Sequence, residues 1–147
     1  MDPVGASQDW TWNGYRNSWV EVNGQRLQSV PGGSHWGGGL FISALDHARV
    51  GLLIARNGCW GGQQILSQDW IDAMLSPSTT NRDYGLLWWL NTDRKRVPAA
   101  PAGSAFALGA GNNYIWVERA RDFVVVVRWM DQTKFNAFVE RVMAAVD

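Results

Sequence analysis

Apolar and polar positions follow two periods along this chain, and the sequence therefore predicts both strands and helices. Apolar and polar residues alternate over 18–22 and 25–30, on either side of Asn23-Gly24. An Asn-Gly pair at this place is the strongest short signal for a β-hairpin, because both central residues of the turn need positive φ. The β-branched run over 124–127 predicts a central strand covered on both faces. Further strands are predicted at 84–90, 104–108, 113–118 and 123–129.

Three helices are predicted from apolar residues at helical spacing and from residues that start or stop helices. Ser43 caps the first helix, and Asp46 completes a capping-box-like pair with it. Asn57-Gly58 stops this helix in the left-handed conformation. The other two helices have similar signals: Ser67 before the second and Pro77 after it, then Asp131 or Thr133 before an apolar stripe over 135–146.

These elements predict the α+β class, with an antiparallel β-sheet flanked by helices in a single domain over 1–147. Residues 30–39 are predicted to form a glycine-rich loop, and 60–66 a short extended link. The apolar strands leave one flank of the predicted sheet open, which is a hazard for association. We therefore expect a partial domain that needs a further segment or a second copy on that flank.

Composition excludes several classes of function. Thirteen basic and thirteen acidic residues give a net charge of zero, and the absence of a basic tract argues against nucleic acid or an anionic membrane as partner. No stretch is apolar enough to span a bilayer. Cys59 is the only cysteine, so an intrachain disulfide is impossible. The ten tryptophans predict an aromatic core or the wall of a pocket.

The clearest candidate for chemistry is Gly109-Ala110-Gly111, between two predicted strands. Glycines at such a place allow backbone N–H groups to approach a ligand closely. Together with 1–6, 38–49, 58–70 and 84–89, this segment resembles, in order and spacing, the C-terminal part of the β-lactamase and penicillin-binding-protein-like serine hydrolases. That family includes class C β-lactamases, related esterases and oligoamide hydrolases.

The resemblance implies the C-terminal portion of a β-lactamase-like fold, whose third active-site motif maps onto Gly109, Ala110 and Gly111. The Ala110 N–H would then be a donor in the oxyanion hole. Trp89 and His35 are expected to line the substrate pocket. The family's Ser-x-x-Lys nucleophile is missing from this sequence, so no catalytic residue is assigned. The Lys-Thr-Gly form of the third motif is also missing, so recognition of a substrate carboxylate is not implied.

Three functions stay open from the sequence: an inactive C-terminal part of a serine hydrolase, one half of a split enzyme, and a non-catalytic binding module. The partners expected are an acyl substrate of the intact enzyme and either the missing N-terminal half or a second copy. No cofactor and no metal site is predicted, and the compartment is left undetermined. Two motif-like patterns, Tyr15-x-Asn17 and Thr92-x-x-Lys95, are interpreted as structural.

Overall fold

The computed structural model describes residues 1–28 and 38–146, which form helices and antiparallel sheets of the α+β class, as predicted. The chain divides into two compact units. The smaller is Ser7–Ser43, and the larger combines Met1–Ala6 with the chain from Ala44 onward.

The smaller unit contains two antiparallel strand pairs. β1 (Thr11–Gly14) pairs with β4 (Gly38–Phe41), and β2 (Trp19–Val22) pairs with β3 (Gln25–Gln28). The predicted hairpin is confirmed as β2–β3.

Its turn has the predicted conformation, with φ of 51° at Asn23 and 77° at Gly24. The predicted loop over 30–39 is wrong at Gly38 and Gly39, which belong to β4 because they pair with Gly14 and Asn13. Residues 29–37 lie outside the described residues.

The larger unit contains α1 (Ala44–Ala55), α2 (Gln68–Met74) and α3 (Phe135–Val146). The Ser67 hydroxyl accepts a hydrogen bond from the Trp70 N–H, which confirms the predicted cap of α2. The Asp131 carboxylate likewise accepts from the Thr133 N–H, at the start of the 3₁₀ turn that leads into α3. None of the described helices is long and apolar enough to cross a membrane.

The segment between α1 and α2 is a small hairpin instead of the predicted extended link. The Gly58 N–H donates to the Leu53 carbonyl at 2.8 Å, which ends α1 at the predicted position. β5 (Cys59–Trp60) then pairs with β6 (Gln63–Gln64). The turn between them is Gly61-Gly62, where both residues have positive φ. Adjacent glycines with positive φ close a two-residue hairpin, and that turn signal was missed in the sequence.

The main sheet consists of β7 (Trp89–Leu90), β8 (Ala105–Gly109), β9 (Asn113–Glu118) and β10 (Phe123–Val127). All neighbours are antiparallel, in the spatial order β10, β9, β8, β7. The prediction of a central strand over 124–127 is therefore wrong, because β10 lies at the edge of this sheet among the strands that the structure describes. The strand is apolar because helices cover both of its faces.

The predicted strand over 84–90 is wrong except for β7. Leu87 has a φ of 66°, and the chain folds back there so that Tyr84 forms an isolated bridge with Trp89. Leu87 is 80% exposed, so the apolar residues of this run are not all buried. Composition alone gave no sign of this bend.

The two faces of the sheet are covered by different helices. On one face, Phe106, Tyr114 and Trp116 pack with Phe135 and Val139 of α3. On the other face, Ala105, Val117 and Trp88 pack with residues of α1 and α2, among them Ile54 and Ile71. Trp88 and Trp89 pack on opposite faces, although only Trp89 belongs to β7.

Buried polar side chains are paired at the end of β7 and along β8. Asn91 is fully buried, and its side chain hydrogen-bonds the backbone of the following loop. The Ser104 hydroxyl donates to the buried Glu118 carboxylate at 2.6 Å and accepts from the Trp116 indole at 3.1 Å. These contacts satisfy polar groups that would otherwise be costly to bury.

Gly51 sets the distance between α1 and the sheet. A Cβ added to Gly51 would lie 2.6 Å from Val124 Cγ1 and 2.9 Å from Ile115 Cγ2, closer than real Cβ atoms come. Gly51→Ala should therefore lower the free energy of unfolding by about 1–2 kcal/mol, because contacts this short place the overpacking cost near the upper end of about 1–3 kcal/mol and helix propensity returns at most about 1 kcal/mol. Urea unfolding measures this difference.

Gly103→Ala is the matched control, because a Cβ there has no neighbour within 4 Å. It should change the free energy of unfolding by about 0.5 kcal/mol or less. A Gly51→Ala protein as stable as the wild type would show that α1 can move away from the sheet without cost.

The free edge of β10 should cause self-association. No described strand pairs with the outer edge of Phe123–Val127, and such an edge is a template for a further strand. We expect a sedimentation coefficient that rises with protein concentration. Val126→Lys should weaken the association, since Val126 belongs to neither core cluster and a lysine disfavours edge pairing.

Val146→Lys is the control, because it places the same charge at the exposed end of α3. It should leave the association unchanged. A wild-type protein that sediments as a monomer at every concentration would contradict the prediction.

Candidate functional site

The turn between β8 and β9 brings the predicted motif residues together. Gly109 pairs with Asn113, and Ala110, Gly111 and Asn112 form the turn, with positive φ at the last two. Gly109, Ala110 and Gly111 are all exposed. No described residue accepts a hydrogen bond from the Ala110 N–H. This amide is therefore available to a ligand.

The segment after β10 packs against this turn. A Cβ added to Gly111 would collide with the Trp129 ring, so only glycine allows the indole this close. The Trp129 N–H donates to Asn113 Oδ1 at 3.3 Å, and the Met130 N–H donates to the Asn112 carbonyl at 3.1 Å. Asn113 Nδ2 also donates to the Ala110 carbonyl at 2.6 Å. These contacts hold the turn in one conformation.

One edge of β8 is open beside the turn. β7 is only two residues long and pairs with Ala105 and Phe106. In the part of the chain that the structure describes, no strand pairs with Ala107 to Gly109 on that side. Unpaired backbone groups at a sheet edge can accept an extended ligand as a further strand.

Trp89 lies on the α3 face, opposite Phe106 in the strand register. The Tyr84 ring meets its indole edge to face, with ring centroids 4.6 Å apart. The Arg96 guanidinium lies 3.7 Å from the centroid of the same indole, a cation–π contact. Two side chains, Tyr84 and Arg96, thus partly cover Trp89. Its strand partner Phe106 precedes Gly109 by three positions on β8.

A pocket of about 90 Å³ lies between the sheet and the start of α3. Burial lowers the pKa of the Arg96 guanidinium, an effect that nearby Asp83 and Tyr114 oppose. Burial also raises the pKa of Tyr114, although Arg96 opposes this change. The pocket is lined by Arg96, Val97, Phe106, Leu108, Tyr114, Gln132, Phe135 and Asn136.

Arg128 connects the segment after β10 to α1. Its Nη2 donates to His47 Nδ1 at 3.1 Å, so Nδ1 is unprotonated and the proton of the neutral ring lies on Nε2. Burial lowers the pKa of His47, and the charge of Arg128 lowers it further. The Asp46 carboxylate partly offsets both effects.

The other candidates from the sequence are described one by one. His35 lies outside the described residues. Tyr15 is half exposed, and the Thr92 hydroxyl donates to the Arg82 carbonyl, while the side chain of Lys95 is 68% exposed. Among the described residues, no three His, Cys, Asp or Glu side chains are grouped so that they could hold a metal ion.

Three residues of this region were not singled out in the sequence: Arg96, Asn113 and Trp129. Arg96 belongs to a loop of charged residues, 93–96, and reaches Trp89 across it. No local signal indicates that contact. For the contact of Trp129 with Gly111 the sequence holds one signal, a glycine within a short turn between two strands.

The chain matches no protein-family model, and a search of curated proteins returns no match.

The lowered pKa of His47 makes stability depend on pH. Unfolding restores a pKa near 6.5, so the unfolded chain takes up a proton more readily than the folded protein. The contribution of the neutral His47 ring to the free energy of unfolding should therefore be fully present above about pH 6.5. It should decrease as the pH falls towards the pKa of the folded state. Urea unfolding at about pH 7.5 and about pH 5.5 measures the decrease, which should be smaller in His47→Gln because glutamine does not titrate.

An NMR titration of the His47 ring provides a second measurement, and we expect a pKa below 6.5 in the folded protein. An equal loss of stability in both proteins, or a ring pKa at 6.5 or above, would contradict the prediction.

Proposed function

We propose that this chain provides the oxyanion-stabilising part of a serine hydrolase related to the β-lactamases and penicillin-binding proteins. The substrate would be an ester, an amide or a β-lactam. The nucleophile would belong to residues outside this sequence, because the sequence contains no Ser-x-x-Lys. Alone, the chain would not catalyse acyl transfer.

The observation that carries the proposal is the exposed β8–β9 turn with an unpaired amide. Acyl transfer produces a negatively charged oxygen, which needs fixed hydrogen-bond donors to stabilise it. The Ala110 N–H is such a donor, and the contacts of Gly111 and Asn113 with the segment at Trp129 hold it in place. A preorganised donor is effective because it needs no rearrangement when charge develops.

The open edge of β8 supports the same proposal. A substrate with an amide or ester group could lie along Ala107 to Gly109 and form backbone hydrogen bonds there. That placement would bring its carbonyl oxygen towards the turn. The edge would thus orient the substrate, and the turn would stabilise the transition state.

A buried serine of this chain is a poor substitute for the missing nucleophile. Ser104 is paired with a carboxylate, but Ser104 and its partner Glu118 are each 1% exposed. A substrate could not reach that hydroxyl without unfolding the sheet. The Ser104 hydroxyl has a structural role, because its two hydrogen bonds satisfy buried polar groups of Glu118 and Trp116.

A second candidate function, a binding module without turnover, is favoured by Trp129. This residue is 77% exposed although its indole packs along Gly111 at the turn. An exposed aromatic ring beside a free amide could hold a ligand reversibly. Covalent labelling and substrate hydrolysis distinguish the two functions.

The test compares this chain with a polypeptide or complex that also carries Ser-x-x-Lys, from the same reading frame or a neighbouring one. After treatment with a fluorophosphonate, intact mass should show one adduct on that serine and none on this chain alone. In the active form, Ala110→Pro removes the N–H and should lower the turnover of an activated ester by about 10²–10³-fold.

Ala110→Gly is the matched control, because it removes the side chain but keeps the N–H, and its turnover should match the wild type. An adduct on a serine of this chain would contradict the assignment of the nucleophile. No adduct on the Ser-x-x-Lys serine, or equal turnover in all Ala110 variants, would overturn the proposed function. Circular dichroism checks that the proline variant is folded.

A further inference from the structure

We propose that the pocket between the sheet and the start of α3 is a binding site for a short-chain monocarboxylate. The pocket has a volume of about 90 Å³, and its polar side chains are Arg96, Tyr114, Gln132 and Asn136. None of these belongs to the β8–β9 turn, so the inference is independent of the hydrolase function.

Arg96 provides the positive charge. Its guanidinium stacks on the Trp89 ring, which covers one face of the group and leaves N–H donors at its edge. No ion pair among the described residues includes Arg96. Asp83 is close enough to favour the charged form but forms no ion pair with it. An arginine in this state can form a bidentate pair with a carboxylate.

Tyr114 provides a neutral donor on the sheet side. The residue is only 5% exposed and its ring stacks on Phe135, with centroids 4.0 Å apart. Its hydroxyl makes no hydrogen bond with any described residue, although Tyr114 lines the pocket. The Tyr114 oxygen is not among the buried atoms that lack a partner, so the hydroxyl keeps access to the pocket and can donate to an anion there.

Two amides complete the polar wall on the helix side. Asn136 Oδ1 accepts from the Ala99 N–H at 3.0 Å, which leaves Nδ2 as a donor. Asn136 is the second residue of α3, where the positive end of the helix dipole favours a negative charge. The side chain of Gln132 lies in the preceding 3₁₀ turn and forms no hydrogen bond with a described residue.

Size and polarity select the ligand class. A cavity needs about 10–15 Å³ to hold one water, so a pocket of about 90 Å³ has room for several waters or for a small carboxylate with a short tail. Phe106, Leu108 and Phe135 form an apolar wall suited to that tail. A single arginine balances one negative charge, whereas a phosphate dianion would remain partly uncompensated.

The test is an NMR titration of the ¹⁵N-labelled protein with sodium propionate. We expect saturable shifts of the Asn136 and Gln132 side-chain amides, with a Kd of about 1–10 mM for so small a ligand. Propionamide, which has the same shape without the charge, should bind at least about tenfold more weakly. Inorganic phosphate should also bind more weakly than propionate.

Three variants locate the site. Arg96→Gln should weaken propionate binding by at least about tenfold, and Tyr114→Phe by about three- to tenfold, since the ring is kept and only the hydroxyl is lost. Lys95→Gln is the control, because it removes the same charge from an exposed side chain of the same loop, and it should change the Kd by less than about twofold.

Several results would overturn the proposal. These are the absence of saturable shifts in the wild type, tighter binding of phosphate than of propionate, or equal effects of Arg96→Gln and Lys95→Gln. If a variant no longer gives the dispersed NMR spectrum of a folded protein, the titration of the wild type with propionate alone decides whether the proposal holds. Shifts confined to residues outside the pocket would then count against the site.

Discussion

The hydrogen bonds of Asn91 determine how the chain passes from β7 to β8. The fully buried side chain accepts from the Val97 N–H at 2.9 Å and donates to the carbonyls of Val97, Ala100 and Pro101. One side chain thus satisfies backbone groups over a loop that has no sheet partner of its own. Because the loop is closed in this way, Arg96 returns to the Trp89 ring and completes the pocket.

Local signals in the sequence were sufficient where the physical cause is local. Asn23-Gly24, Ser67 and Asp131 each act through their own φ or through a hydrogen bond to an amide two or three residues away. A pattern within one turn of the chain therefore predicts the structure at that point. The α+β class follows from the same signals, because helices and strands are identified one by one.

The rest depended on contacts between distant residues. An apolar run such as 124–127 is equally consistent with a central strand and with an edge strand between two helical layers, and only the strand order distinguishes them. The bend at Leu87 depends on backbone conformation that composition does not record. At the candidate site, Gly109 to Gly111 could be recognised as a turn, but its packing partner Trp129 lies beyond a further strand.

The close packing of Gly111 and Trp129 has a consequence for motion. The turn cannot open alone, because the amides of Trp129 and Met130 are hydrogen-bonded to Asn113 and Asn112. Any excursion of the turn must carry with it the segment that follows β10, at Trp129 and Met130. Fluctuations at the two places should therefore be correlated, with amide exchange at Met130 reporting on the order of a loop that is distant from it in the chain.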